Sequence, residues 1–344
     1  METLAEYCRT YTKLTAMQCE LLKRMSICFP FAADLTHAHV SVYAMASEPG
    51  HFVVLSHDKP HTIFSPAELA SPGRVVPMIE EPLVSYTMRT GKPIHGKREW
   101  TFGSSLDMHT FAIHDGANVI AVVSFETSSE DIRVSGYAKL LETARLILIN
   151  ARKNLERDMY RSISSSDGII ITDNNNRIIF ANIAAVRIYK VLGVANLIGC
   201  HLFDRQLTMH ITKETIASRR PYEKELEAGG LVLVQRNIPI MEGGALQRRV
   251  VVISDVTEVR QKDKEILVKS AVIQEIHHRV KNNLQTIASL LRLQARRSKS
   301  PEVKAALKES VNRILSISVV HEFLSQQDAE HIDVVEVTRN ILEL

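Results

Sequence analysis

Long apolar runs are missing from this 344-residue chain, and no window approaches the roughly 18 apolar residues that a helix needs to cross a bilayer. The opening METLAEYCRTYTKL has no cationic stretch followed by an apolar one, which argues against a secretory leader. A cytoplasmic protein without membrane insertion is therefore expected. Cysteine is scarce: Cys8, Cys19, Cys28 and Cys200 have neither metal-ligand spacing nor a disulfide framework, so reduced thiols and no metal centre are expected. Aromatic residues make up 6% of the chain, but 45% hydrophobic and 24% charged residues are ordinary globular values and exclude wholesale disorder.

A surplus of one charge is also nearly absent, since the net value is +3, yet the distribution is uneven. Residues 259–299 carry ten Lys or Arg against three Asp or Glu, a local +7 that leaves −4 for the rest. Such a helix face attracts an acidic partner or a nucleotide when it is more than a solvated surface. Direct nucleic-acid binding is not expected, because the segment lacks aromatics and no reading motif accompanies it.

The length suggests two or three domains. Leu4, Tyr7, Tyr11, Leu14, Leu21 and Met25 recur at helical steps, which predicts one amphipathic helix ended by Pro30. HVSVYAM and HFVVLSH read as strands, EEPLVSYTMRTGKPIHG as a helix stopping at Gly91, and MHTFAIHDGANVIAVVSFET as a hairpin turning at Asp115 and Gly116. The alternation predicts an α+β domain with an antiparallel sheet flanked by helices. The run Pro82-Leu83-Val84 through Thr90-Gly91-Lys92-Pro93, followed by that hairpin, resembles the GAF-type sensor region of soluble histidine kinases. A GAF-like domain over 1–133 is expected on that basis, and the resemblance allows either a small-molecule ligand or a purely structural dimer module.

Residues 134–160 contain no Pro and no Gly after Gly136. Val134, Leu141, Leu148 and Leu155 repeat every seven residues beside Tyr137, Ala144 and Ala151, which predicts a coiled-coil connector over 134–157, with a core helix as the alternative. DGIIITDNNNRIIFANIAAVRIYKVLG then reads as strand, Asn-rich turn, strand and a helix capped by Asn182. LVLVQRNIPIMEGGALQRRVVVISDVTE reads as two long strands joined at Glu242-Gly243-Gly244. Residues 158–258 resemble a PAS domain, with Asp255-Val256-Thr257 matching the motif that hands over to a signalling helix. The reactive cysteine of flavin-binding PAS domains is missing, and isolated His201 and His210 are poor haem candidates.

From Val259, the residues Val259, Ile266, Ile273, Val280 and Ile287 keep a seven-residue repeat, while the second seam runs Asp263, Ser270, His277, Leu284 and Leu291. Ser300 and Pro301 start another helix, whose face is expected to be Val303, Leu307, Ser310, Ile314, Ile317, His321 and Leu324. Two such helices make a hairpin over 259–328, and two hairpins a four-helix bundle, so a homodimer is expected. At 100° per residue, His278, Asn282, Gln285 and Ser289 fall opposite the apolar stripe, and His277 falls at its edge.

EIHHRVKNNLQTIASLLRLQARR resembles the phosphoacceptor box of HisKA_2-type histidine kinases, with His-Arg-x-Lys-Asn in place of the commoner His-Glu-x-x-Thr-Pro. The resemblance implies His278 as phosphoacceptor, with His277 as the alternative, and supporting roles for Arg279, Lys281 and Asn282. It also implies ATP with Mg as the phosphoryl source and an aspartate on a response-regulator receiver domain, possible in ANTAR-type regulators, as the recipient. The ATP-binding pattern of such kinases does not follow; residues 329–344 look like the lead-in to it, so the chain is expected to be inactive by itself. A dimeric ligand-binding phosphotransfer adaptor without its own kinase domain fits the same residues.

Overall fold

A computed structural model describes residues 3–61, 71–101, 104–128, 136–151, 157–202, 204, 207 and 219–326. The chain divides into two compact units, Met1–Val256 and Thr257–Leu344.

The first unit opens with α1 (Leu4–Tyr11) and α2 (Ala16–Ser26), where periodicity alone predicts one helix, followed by α3 (Phe29–Thr36). Threonine chemistry makes the break. The Thr12 hydroxyl donates to the Cys8 carbonyl, and Thr15 and Gln18 cap each other reciprocally, which starts α2 afresh. Pro30 does not end a helix; it occupies the first turn of α3, where its missing N–H would have had no helical partner anyway.

These helices pack on a six-stranded antiparallel sheet of order β3-β2-β1-β6-β5-β4. Its strands are β1 (His39–Met45), β2 (His51–Asp58), β3 (Val75–Pro77), β4 (Ile94–Thr101), β5 (Ser104–Asp115) and β6 (Asn118–Thr127). The expected hairpin forms with Asp115 paired to Asn118, and Gly116 takes the positive φ (61°) that a two-residue turn requires. Alternation along the central strands sorts their residues between two layers. Val40, Val42, Val123 and Phe125 join α1–α3, whereas Tyr43, Val54, Met108 and Val122 face the helix α4 (Pro82–Thr90), which ends at Gly91.

The next helix, α5 (Tyr137–Asn150), corrects the coiled-coil reading within its described residues. Tyr137, Leu141, Ala144, Leu148 and Ala151, the two seams expected to face a second copy, are buried inside the chain's own core. That core runs without interruption into the second sheet through Ile169, Ile171, Ile238, Ile240, Val250 and Val252. An apolar stripe is satisfied by any apolar surface within reach, and here α3 and the second sheet supply it. Val134 and Leu155 lie outside the described residues.

The second sheet has five antiparallel strands in the order β8-β7-β11-β10-β9. They are β7 (Gly168–Thr172), β8 (Ile178–Ala181), β9 (Tyr222–Ala228), β10 (Leu231–Glu242) and β11 (Ala245–Asp255), with α6 (Ile183–Val191) after β8. Asn182 caps α6 as expected: its Oδ1 accepts from Ala185 N–H at 2.9 Å and from Ile169 N–H at 2.8 Å. A side chain at Gly168 would put its Cβ 2.9 Å from the Ala185 Cα, so glycine is what lets β7 approach α6 this closely. Arg236, buried on β10, donates to the carbonyls of Met159 and Arg161 and so ties the sheet to the chain entering it.

The second unit is a hairpin of α7 (Thr257–Arg297) and α8 (Pro301–Gln326). With 41 residues and neither Gly nor Pro, α7 is about 60 Å long at 1.5 Å per residue. Ser300 Oγ accepts from Val303 N–H at 3.4 Å, so the expected start of α8 is found. Among the described residues no helix is long and apolar enough to cross a membrane.

Candidate functional site

Every residue of α7 from Glu258 to Ile276 is exposed, and His277 is the first after them to be partly covered. From there Val280, Lys281, Leu284, Ala288, Leu291 and Ala295 turn toward α8 at three- and four-residue steps. The second seam is thus used inside the hairpin from His277 onward, through Leu284 and Leu291, while Asp263 and Ser270 are exposed. Of the first seam Val280 is partly covered, whereas Ile266, Ile273 and Ile287 stay 61%, 54% and 45% exposed. On α8 Leu307, Ile314 and His321 lie on the packed face as expected, but Val311 and Ser318 take the places expected of Ser310 and Ile317, which are exposed together with Val303. The covering helix spans only one flank of α8, so the wide apolar stripe is divided rather than buried whole.

The two neighbouring histidines have different surroundings. His277 sits in the seam, its Nδ1 3.1 Å from the Nδ1 of His321, with the rings 5.3 Å apart and tilted by 49°. His278, one step of 100° further round the helix, is exposed. Arg279 reaches back one turn and donates from Nε to Glu275 Oε1 at 2.8 Å, an exposed i,i+4 ion pair. Asn282 lies exposed one turn beyond His278, while Lys281 lies partly buried on the seam side. His278, Arg279 and Asn282 therefore share the open side, and Lys281 does not. Sequence reasoning placed His321 only as part of a stripe. Its signal was a polar residue at an a/d-type position on each helix, His277 and His321, which must meet if the seams meet.

A second candidate lies on the α4 side of the first sheet. A cavity of about 320 Å³ is lined by Tyr43, Arg74, Glu81, Leu83, Lys97, Arg98 and Met108. Arg98 donates to Glu126 at 2.9 Å, to the Tyr43 hydroxyl at 3.3 Å and to Glu81. Both carboxylates are buried, and one guanidinium serves both. Burial pushes the Glu81 carboxyl up to about 7, with Arg98 opposing and Glu126 reinforcing the shift. The folded protein holds this proton more tightly than the unfolded chain does. The resulting stabilisation is full below the unfolded value near 4.5 and is lost as pH rises through about 7. Urea denaturation at pH 5.5 and pH 8 should show a stability drop toward pH 8 that is smaller in Glu81→Gln.

Elsewhere, Cys8, Cys19 and Cys28 are core residues, and burial followed by the neighbouring Cys19 pushes the Cys8 thiol up to about 12. His201 stands in an isolated bridge with Arg177, and His210 lies outside the described residues, as do 329–344.

Comparison with known proteins adds three results. A family profile described as the GAF domain of histidine kinase PdtaS matches residues 4–144, and one described as histidine kinase (HisKA_2) matches 275–344. The chain is similar to the sensor histidine kinase PdtaS of Mycobacterium tuberculosis, at 31% identity over 376 residues covering all of this chain and 74% of that protein. The PdtaS of Mycolicibacterium smegmatis is 29% identical over 371 residues with the same coverage. In fold, the chain is similar to the sensor region of a sensor histidine kinase, with a TM-score of 0.55 and 21% identity over 76% of this chain and all of that one.

Proposed function

The chain belongs to the PdtaS family of sensor histidine kinases, and from that premise we propose that His278 accepts the γ-phosphoryl group of ATP and passes it to an aspartate of a response-regulator receiver domain. The recipient regulator is of the ANTAR type in this reading. The observation that carries the assignment is the contrast between two adjacent imidazoles, His277 held in the seam and His278 exposed.

The chemistry needs that contrast. An unprotonated ring nitrogen of His278 gives its electron pair to the γ-phosphorus, and the bond to the ADP oxygen breaks with its pair leaving on ADP. An aspartate oxygen of the receiver then attacks the same phosphorus, the P–N bond breaks, and its pair returns to the imidazole. Both approaches are in line and both come from outside the hairpin, so a seam-locked ring is unsuited to either. Bound to ATP, Mg²⁺ supplies charge compensation on the phosphates. Asn282, on the same open side, orients the ring or a water; Arg279 offsets phosphate charge with part of its own already committed to Glu275. Lys281 acts from the seam side.

The working form is a homodimer. One hairpin leaves the Ile266–Ile273–Ile287 seam in water, and a second copy covers it as a four-helix bundle. The GAF-like domain (1–133), the helix region (134–157), a PAS domain (158–258) and the hairpin (259–328) form the path from signal to acceptor. The five-stranded sheet and the Asn182-capped helix support the PAS reading. The cavity over Arg98 supports a small-molecule ligand in the GAF-like domain.

Incubation with ATP, Mg²⁺ and the ATP-binding module of the kinase should place phosphate on this chain that is lost in acid and kept in alkali, as a phosphoramidate is. Label that survives acid, or no label at all, would sink the proposal.

A further inference from the structure

Packing between α7 and α8 begins, among the described residues, at a pair of imidazoles one residue away from the proposed acceptor. N-terminal to it, nineteen residues of α7 are exposed without interruption, and this is the stretch that enters the hairpin from the second sheet. The pair is thus the contact nearest the input end of the helix. Its geometry is specific. Two Nδ1 atoms 3.1 Å apart form a hydrogen bond only when one ring carries its proton there and the other leaves a lone pair there. On α7 the seam continues from His277 mainly through apolar residues, Val280, Leu284, Ala288 and Leu291.

We propose that His277 is a positioning residue for phosphoryl transfer and that the His277–His321 bond is a latch which presents His278 to its reaction partners. This rests on His278 being the acceptor. The physical reason is rotational. Successive helix residues point 100° apart, so locking His277 into the seam forces the next ring outward. A turn of α7 by about 100° in the other sense brings His278 against His321 and closes it off. A signal that twists the exposed input end of α7 therefore acts directly on which imidazole faces outward, and a single hydrogen bond is a barrier small enough for such a signal to overcome.

The test uses the kinase containing this chain, with labelling from ATP measured as an initial rate. His321→Phe keeps the ring volume and removes the bond; it should lower the rate about tenfold, roughly the weight of one hydrogen bond, with little change in melting temperature. His321→Gln, which can still bond His277, should recover to within about threefold of the unsubstituted rate. Equal rates in His321→Phe and the unsubstituted protein, or equal losses in Phe and Gln, would overturn the latch. If His321→Phe does not fold, ring ¹H–¹⁵N correlation spectra of the unsubstituted protein decide: opposite tautomers for His277 and His321 support the bond, and matching tautomers overturn it. Label that persists in His278→Gln would show that the acceptor assignment has failed; no label there with a normal His321→Phe would show that only the latch has.

Discussion

Replacing His278 by glutamine is expected to reduce phosphorylation from ATP to background, whereas His277→Gln is expected to remain labelled at a lower rate. Glutamine keeps the polarity and much of the length of histidine but has no nucleophilic ring nitrogen, so the hairpin is preserved while the acceptor is removed. At position 278 nothing in the fold depends on the ring, which is exposed. At position 277 the side chain is half-buried and bonded to His321, so the cost there is to positioning and packing. Radiolabel retained after mild base treatment, measured on both variants with circular dichroism as a control, separates the two. Persistent label on His278→Gln together with none on His277→Gln would reverse the assignment.

The largest stability effect is expected at Arg98. Arg98→Met should destabilise the first unit by about 3–5 kcal/mol, the usual cost of removing one partner from a buried ion pair and stranding the other. The Glu126 side chain is fully buried and that of Glu81 nearly so, and both accept from this one guanidinium. Methionine fills much of the volume, so the loss reports charge rather than a cavity. The deficit should be smaller at pH 5.5 than at pH 8, because below about 7 burial holds Glu81 neutral and its carboxyl has less need of the guanidinium. Urea midpoints at the two pH values measure this, and an Arg98→Met protein as stable as the unsubstituted one at pH 8 would show that the network is screened by solvent.

Much of the fold was legible because its signals are local. The Asp115–Gly116 turn, the end of α4 at Gly91, the Asn182 cap and the Ser300-Pro301 start of α8 all depend on residues within a few positions of one another. Where local signals compete, periodicity misled. Leu4 to Met25 keeps a helical rhythm, yet two threonines that bond nearby backbone interrupt it. The heptads of α5 were real, but an apolar seam does not say whether its partner is another copy or the chain's own core. The replacement of Ser310 and Ile317 by Val311 and Ser318 on the packed α8 face has the same origin, since a stripe wider than one neighbour can cover is divided by packing.

The candidate site divides along the same line. The sequence by itself determined that two adjacent histidines lie on one long helix, that they point about 100° apart, and that one falls beside an apolar stripe, because helix geometry follows from the backbone alone. Only the tertiary structure decided that His277 meets His321, that the second seam closes within the hairpin from His277 to Leu291, and that Arg98 serves two buried carboxylates from separate parts of the chain. Contacts between distant residues depend on how elements pack, and packing energies are summed over whole surfaces that no short stretch of sequence contains.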